Sequence, residues 1–233
     1  MKKIGLLGGM SWESSLEYYK IINEEIKNNL GGLHSGRVLL NSLDFEPIEK
    51  LQHEGNWQEM GEILTKEALC LQRGGADFVL ICTNTMHKLF GIVEKSLKIP
   101  MLHIADATAE VLKKEGIKKV GLLGTAFTME QDFYKGRLKE KFGFEVLIPK
   151  KAHRDLVHKV IYEELCLGIT KESSKKHFVE IVEDLAKEGA QGVILGCTEI
   201  GLLISQEDTD VKLFDTTLIH AKEAVRYAIE DNL

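Results

Sequence analysis

Short apolar runs alternate along the chain with longer stretches whose apolar residues recur at helical spacing, and only three prolines interrupt this pattern. Such alternation predicts repeated βα units and a largely parallel sheet, which is an α/β fold. The predicted strands are 3–7, 38–41, 78–82, 101–103, 120–123, 145–147, 193–195 and 213–214.

Amphipathic stretches between these runs predict helices. In 59–73 the apolar residues Ile63, Leu64 and Ala68 share one helix face, and glycines follow at 74 and 75. The stretch 177–187 likewise ends just before Gly189, and 217–229 is a further predicted helix. The first two helices each precede one of two matching strands.

Two segments of the chain return later in similar form. KKIGLLG at 2–8 matches KKVGLLG at 118–124, and GADFVLICTNT at 75–85 matches GAQGVILGCTE at 189–199. We therefore predict two α/β lobes, residues 1–115 and 116–215, with a C-terminal helix 216–233 packing back on the first. Both late copies end in a polar run after an apolar strand, so the two loops could face each other across a cleft.

A weaker third match pairs IADAT at 104–108 with LFDTT at 213–217. Each copy precedes a predicted helix, and an Asp or Thr at such a place is a good helix N-cap. We therefore expect Asp106 and Asp215 to be equivalent capping residues.

Composition narrows the possible functions. A chain of 233 residues with 44% hydrophobic residues can bury a core without metals or disulfides. The net charge of -6 argues against a nucleic-acid partner. No apolar run is long enough to cross a bilayer, and the first run is too short for a signal peptide. Four widely spaced cysteines without C-x-x-C predict a cytoplasmic protein with reduced thiols.

Ligands of parallel α/β sheets bind beyond the carboxyl ends of the strands. The loops predicted there are 8–11, 83–85, 124–125 and 197–199, which are rich in Gly, Ser, Thr and Asn. Their backbone N–H groups and hydroxyls suit a small carboxylate or phosphate. Because neither G-x-G-x-x-G nor G-x-x-x-x-G-K-[ST] occurs and the histidines lack zinc spacing, we expect no nucleotide and no metal site.

Of the four thiols, Cys197 is the functional candidate. It follows a glycine at a strand end, where a helix dipole is expected to lower its pKa and favour thiolate, whereas Cys70 and Cys166 are expected to be small buried hydrophobes. The repeat aligns Thr83 with Cys197 and Cys82 with Gly196. Since successive strand residues point to opposite faces, only one of Cys82 and Thr83 can face a ligand, and Thr83 is favoured.

These loops carry a family resemblance. GGMSWES at 8–14, CTNTMH at 82–87 and GCTE at 196–199 resemble the aspartate/glutamate/hydantoin racemase superfamily, most of all its broad-specificity, L-aspartate/glutamate-type amino-acid racemases. The resemblance runs from end to end. It implies two α/β lobes related by a pseudo-twofold axis, an active site in the interlobe cleft, no PLP or other cofactor, and a homodimer acting on a small amino acid.

The resemblance also assigns a catalytic pair. The usual first motif of the family is Cys-Asn-Thr-x-His, and alignment on Asn84, Thr85 and His87 puts Thr83 in the cysteine slot. Thr83 and Cys197 are then the opposed acid/base residues. Because a threonine hydroxyl is a far weaker acid and base than a thiol, equal efficiency in both directions is not expected. The possible accessory residues are Cys82, His87 and Glu199.

Backbone N–H groups near four residues are expected to hold the substrate α-carboxylate while charge develops on it. These residues are Met10, Asn84, Thr85 and Thr198. Met10 is also expected to pack against the substrate, whereas Trp12 is expected in the core. Lobe closure would exclude water.

The side-chain pocket is less determined. Aspartate-selective relatives use a basic pair, but the matching neighbourhoods here read EPI at 46–48 and EEL at 163–165, which leaves Glu164 in the second position. The resemblance places Gln52 near the substrate, where it could also serve neutral side chains.

Two alternatives stay open at this point. A hydantoin racemase, maleate isomerase or decarboxylase would keep the same scaffold. A non-catalytic amino-acid-binding module could also use this duplicated fold, and it would bind a ligand without exchanging the α-proton.

Overall fold

The computed structural model describes residues 1–230, and the chain packs as two compact units. The first unit comprises Met1–Ile104 and the described residues from His220, and the second comprises Ala105–Ile219. The chain thus leaves the first unit ahead of the predicted boundary at 115/116, and it returns inside a helix. The predicted segment 216–233 includes residues 231–233, which lie outside the described part.

The first unit contains a four-stranded parallel sheet in the order β2-β1-β3-β4. Its strands are β1 Ile4–Gly8, β2 Val38–Ser42, β3 Phe78–Ile81 and β4 Met101–Leu102. Every predicted strand of this half is present, with ends that differ by at most one residue.

Helices join these strands, and local caps fix where they begin. Ser11 caps the first helix by accepting the N–H of Ser14, and Asn56 caps the third by accepting the N–H of Glu59. The helices are α1 Trp12–Leu30, α2 Phe45–Glu54, α3 Trp57–Arg73, the 3-10 helix Thr85–Leu89, α4 Phe90–Ser96 and α5 Ile104–Lys114.

Alternate residues of this sheet pack into two cores. Leu7, Val79 and Ile81 belong to one cluster with side chains of α3. Leu6 and Leu80 belong to the other, which also holds α1 and apolar residues between 221 and 229. The sheet therefore separates two apolar layers, as its strand alternation requires.

The second unit repeats the sheet with the same strand order, β6-β5-β7-β8. Its strands are β5 Lys119–Gly124, β6 Glu145–Leu147, β7 Val193–Gly196 and β8 Leu213–Asp215. The remaining helices are α6 Ala126–Glu130, α7 Asp132–Phe142, α8 Lys151–Glu163, the 3-10 helix Leu165–Leu167, α9 Glu172–Lys187, α10 Ile200–Leu203, the 3-10 helix Gln206–Asp208 and α11 Thr216–Ile229. The duplication predicted from the sequence thus extends to sheet topology.

The third sequence match is wrong by three residues. Val79 pairs with Met101 and Val193 pairs with Leu213, so the strand registers make His103, not Asp106, the equivalent of Asp215. The two aspartates also have different structural roles. Asp215 caps α11 by accepting the N–H groups of residues 217 and 218 at 2.8 and 3.1 Å.

Asp106 lies inside the first turn of α5 and does not cap it. Arg137 donates two hydrogen bonds to its carboxylate at 2.5 and 2.8 Å, and Lys141 donates a third at 2.7 Å. Burial alone would raise the pKa of Asp106, but these two cations outweigh it and hold the pKa below its ordinary value. Asp106 is therefore an ion-pair residue.

Helix α1 carries a second departure from expectation. Trp12 was expected in the core, but 63% of its surface is exposed because it lies on the outer face of the first turn. Within residues 1–230, none of the helices combines the length and hydropathy that crossing a bilayer requires.

Candidate active site

In the first unit, a hydrogen bond joins the first turn of α1, which follows the loop after β1, to the loop after β3. Ser14 donates its hydroxyl proton to the Cys82 carbonyl at 2.9 Å, and the Gly9 N–H donates to Ser15 Oγ at 2.7 Å. Gly9 has a φ of +86°, and a Cβ there would overlap the backbone of Leu43. The glycine at this turn is therefore required by both conformation and space.

Cys82 and Thr83, which follow β3, differ in burial. Cys82 is 1% exposed and packs in the core cluster that contains Tyr18 and Leu80. Burial raises the pKa of its thiol far above the ordinary range. Thr83 is half-buried, so it is the more accessible of the two side chains. The catalytic role of Thr83 and any accessory role of Cys82 stay predictions.

His87 lies in the 3-10 helix Thr85–Leu89 and contacts backbone at both ring nitrogens. Its Nδ1 lies 2.8 Å from the Thr83 carbonyl oxygen, and the Ile104 N–H donates to its Nε2 at 3.2 Å. The imidazole therefore contacts the main chain of Thr83, not its hydroxyl.

A second buried histidine stands close by. The rings of His87 and His220 are 5.9 Å apart. Burial lowers the pKa of His220 to about 3. Tyr18 OH and the Leu102 carbonyl contact the two nitrogens of His220 at 2.8 and 3.0 Å. His220 is therefore a neutral core residue.

The other predicted site residues of the first unit are buried polar or apolar groups. Met10 is 2% exposed, Asn84 2%, Thr85 5% and Gln52, on α2, 1%. Met10 packs in the apolar cluster of α3. Their contacts with a substrate stay predictions.

In the second unit, Cys197 follows β7 directly and shares a buried hydrogen-bond group with the next two residues. The Cys197 thiol donates to Glu199 Oε2 at 2.9 Å, and the Thr198 hydroxyl donates to the same oxygen at 2.8 Å. Glu199 is 2% exposed and Cys197 8%. A buried carboxylate is thus aimed at the sulfur.

The expected thiolate is wrong for the free protein. Burial raises the pKa of the Cys197 thiol well above its ordinary value, and the negative charge of Glu199 raises it further. The helix that follows, α10, has only four residues, so its dipole is small. Cys197 therefore rests as a thiol whose proton lies on a hydrogen bond to a carboxylate.

Glycines let the strand ends of this unit approach closely. Gly124 of β5 and Gly196 of β7 are register partners, and a Cβ on either would lie 2.7 Å from the other strand's carbonyl oxygen. This explains why the position of Cys82 in the first copy is a glycine in the second. Thr125 then caps α6 by accepting the Thr128 N–H.

Glu164, which was predicted near the substrate, has partners for both carboxylate oxygens. Ser174 donates to one at 2.7 Å, and Lys171 donates to the other at 3.0 Å. The Ser174 hydrogen bond is the largest cause of a lowered pKa, which Lys171 lowers further against the effect of burial. The direct substrate role of Glu164 stays a prediction.

Two links of this site were not found from the sequence. The hydrogen bond from Ser14 to the Cys82 carbonyl joins residues 68 positions apart, and no spacing pattern in the sequence predicts it. The position of Glu199 two residues after Cys197 was a signal for their contact, but it did not give the direction of the side chain. Residues 1–230 hold no group of three or more His, Cys, Asp or Glu side chains arranged to bind a metal ion.

Comparison with known proteins gives a family match and solved structures of similar fold. The sequence model of the Asp/Glu/Hydantoin racemase family matches residues 7–224. The chain is similar to a candidate Asp/Glu racemase from Yersinia pestis, with 51% identity, a TM-score of 0.91, and coverage of 98% of this chain and 100% of the other. An aspartate racemase homologue from Pyrococcus horikoshii shows 38% identity, a TM-score of 0.84, and coverage of 98% and 99%.

A curated relative is more distant. The broad specificity amino-acid racemase RacX of Bacillus subtilis is 26% identical over 170 residues, which is 72% of this chain and 71% of that protein. The family match covers the loops that follow β1, β3 and β7, together with every strand except the first three residues of β1. This chain therefore belongs to the Asp/Glu/hydantoin racemase family.

Proposed function

We propose that this protein is a PLP-independent racemase that interconverts L- and D-amino acids. The observation that carries the proposal is the Cys197 thiol, hydrogen-bonded at 2.9 Å to buried Glu199 after β7, at the position that the repeat pairs with Thr83 after β3. A thiol next to a proton acceptor is suited to removing a proton from carbon.

The proposed reaction begins with the thiol proton. Glu199 accepts it, which leaves a thiolate, and the thiolate takes the proton from the substrate Cα. The electron pair left on Cα spreads into the α-carboxylate. Backbone N–H groups near Asn84, Thr85 and Thr198 hold this carboxylate and stabilise the charge that develops on it.

Thr83 relays a proton from water to the opposite face of Cα, which completes the inversion. The hydroxide left by that water takes up the proton held by Glu199, and Cys197 keeps the proton taken from Cα, so the starting protonation of the site is restored. Acid-base catalysis contributes about 10²- to 10⁴-fold to such a step, so positioning and electrostatics must supply the rest. Because the hydroxyl is a weaker acid and base than the thiol, we propose that the two directions differ in rate.

The substrate class in this proposal is a small amino acid, with aspartate and glutamate included. The neighbourhoods 46–48 and 163–165 contain no Arg or Lys, and Glu164 is bound by Lys171. We therefore propose broad side-chain acceptance. The homodimer implied by the family resemblance is part of the same proposal.

Deuterium incorporation tests the proposal directly. Incubation with L-aspartate, L-glutamate and neutral L-amino acids in D₂O is expected to place deuterium at Cα and to form the D-isomer, as measured by mass spectrometry and chiral chromatography. The variant C197A is expected to lose this exchange, whereas C70A, which removes a thiol on α3, is the matched control.

Tight binding of an amino acid with no Cα exchange would instead identify a binding module. Retention of racemisation by C197A, or its loss in C82A but not in T83A, would contradict the catalytic assignment.

A further inference from the structure

The tautomer of His87 follows from its contacts. The Ile104 N–H donates to Nε2, so Nε2 carries no proton, and the ring proton sits on Nδ1. Nδ1–H therefore donates to the Thr83 carbonyl at 2.8 Å. The side chain is 3% exposed, so water does not compete strongly for either bond. One neutral imidazole links the loop after β3 to the first residue of α5.

The Thr83 carbonyl is also one half of a rigid unit. It shares a planar peptide group with the Asn84 N–H, and this peptide is trans because the only cis bond within residues 1–230 is Met10–Ser11. In a trans peptide the C=O and N–H point in opposite directions. Holding the oxygen of Thr83 on one side therefore fixes the direction of the Asn84 N–H on the other.

The second unit provides an internal comparison. By the repeat, the counterpart of His87 is Gly201, and a Cβ there would overlap the carboxylate of Asp215. The Cys197 carbonyl accepts the backbone N–H of Ile200 at 3.1 Å. The thiol loop thus orients its first peptide through its own backbone, whereas the threonine loop uses an imidazole.

We propose that His87 is a positioning residue that aims the Asn84 N–H at the α-carboxylate of the substrate. This inference rests on the proposed racemase function. The charge on the carboxylate grows as the α-proton leaves, so the N–H bond strengthens toward the transition state. Loss of the His87 hydrogen bond to Thr83 is therefore expected to lower kcat more than it raises KM.

Two substitutions separate the two ends of the imidazole. In H87N the side-chain amide can replace the Nδ1–H donor, whereas the contact with Ile104 is lost. In H87Q the longer side chain can offer its oxygen near the Nε2 position, whereas the donor to Thr83 is lost. We expect H87Q to lower kcat by about tenfold or more with little change in KM, and H87N to keep kcat close to the wild-type value.

The thermal midpoint Tm is measured for both variants alongside the kinetics. A merely structural role would make the loss of kcat follow the loss of Tm in both variants, with H87N at least as impaired as H87Q. That result would overturn the inference. Absence of Cα exchange in the wild-type protein would instead contradict the proposed racemase function. Failure of that proposal can therefore be distinguished from failure of the His87 inference.

A second measurement, the NMR signal of the Asn84 amide, does not depend on catalytic activity. Thr83-Asn84 is the only Thr-Asn dipeptide in the chain, so labelling with ¹³C-threonine and ¹⁵N-asparagine gives one carbonyl-linked amide signal, that of Asn84. In a C197A background, saturating L-aspartate is expected to shift this signal, and H87Q is expected to reduce the shift while H87N preserves it. No shift with bound L-aspartate, or equal shifts in all three proteins, would overturn the inference even if a variant were poorly stable.

Discussion

The chemistry of Cys197 is set by one neighbouring side chain. Sequence alone indicates a thiol at a strand end. The pKa of such a thiol can be lowered or raised by the charge and burial of its surroundings. Here Glu199 turns back to within 2.9 Å of the sulfur and holds it as a thiol. The same carboxylate is the group that can accept the proton when the substrate binds.

The variant E199Q tests this reading at the level of the thiol pKa. Burial remains, but the negative charge that disfavours thiolate is removed, so the pKa of Cys197 is expected to fall. The measurement is the rate of Cys197 alkylation by iodoacetamide against pH, resolved by peptide mass spectrometry. The midpoint of the profile should move to lower pH.

Glu163 supplies the matched control, since E163Q changes an exposed carboxylate whose ion pair is with Lys159. Its alkylation profile at Cys197 should equal that of the wild type. An unchanged or higher midpoint in E199Q would contradict the assigned role of this carboxylate.

At the scale of elements, hydrophobic alternation located all eight predicted strands, and the repeat aligned Thr83 with Cys197. The third match failed because it aligned two aspartates by letter. By the strand register the two helices begin at equivalent residues, Ile104 and Thr216, so Asp106 lies inside the first turn of α5 whereas Asp215 directly precedes α11. The exposure of Trp12 was also missed, because an aromatic residue near a helix start gives no signal of which face is covered.

The turn after β1 depends on Gly9 for two separable reasons, positive φ and the nearby backbone of Leu43. Gly55, at the end of α2, has a φ of +72°, and a Cβ added there would have no other atom within 4 Å. G55A should therefore lower the free energy of unfolding by about 1–2 kcal/mol, the cost of a left-handed conformation. G9A should cost about 1–3 kcal/mol more because the backbone must also shift.

Urea unfolding of both variants measures the difference. The prediction fails if G9A is no less stable than G55A. Since the Gly9 N–H also donates to Ser15, G9A is further expected to disturb the loop that holds Met10.

At the scale of the whole molecule, each unit has its own parallel sheet, with the same strand order, and its own apolar core. Thr83 belongs to the first unit and Cys197 to the second. Duplication therefore gave each half a loop of the same origin, and the two loops have since diverged. One kept a thiol with a carboxylate partner, and the other has a hydroxyl beside a carbonyl held by His87.

The proposed reaction requires both loops to reach one carbon atom, and this requirement can be tested by linking them. In T83C, a short dihaloacetone should join residue 83 to Cys197 by alkylating both sulfurs, with loss of two halide ions and two protons. Mass spectrometry of the digested protein should then show one peptide pair bridged through these two positions, and L-aspartate should protect against the bridge. The same reagent on T83C with C197S should alkylate residue 83 without a bridge, and on wild-type protein it should leave position 83 unmodified. Separate alkylation of residues 83 and 197 in a T83C enzyme that still racemises amino acids would show that the two loops do not share one substrate.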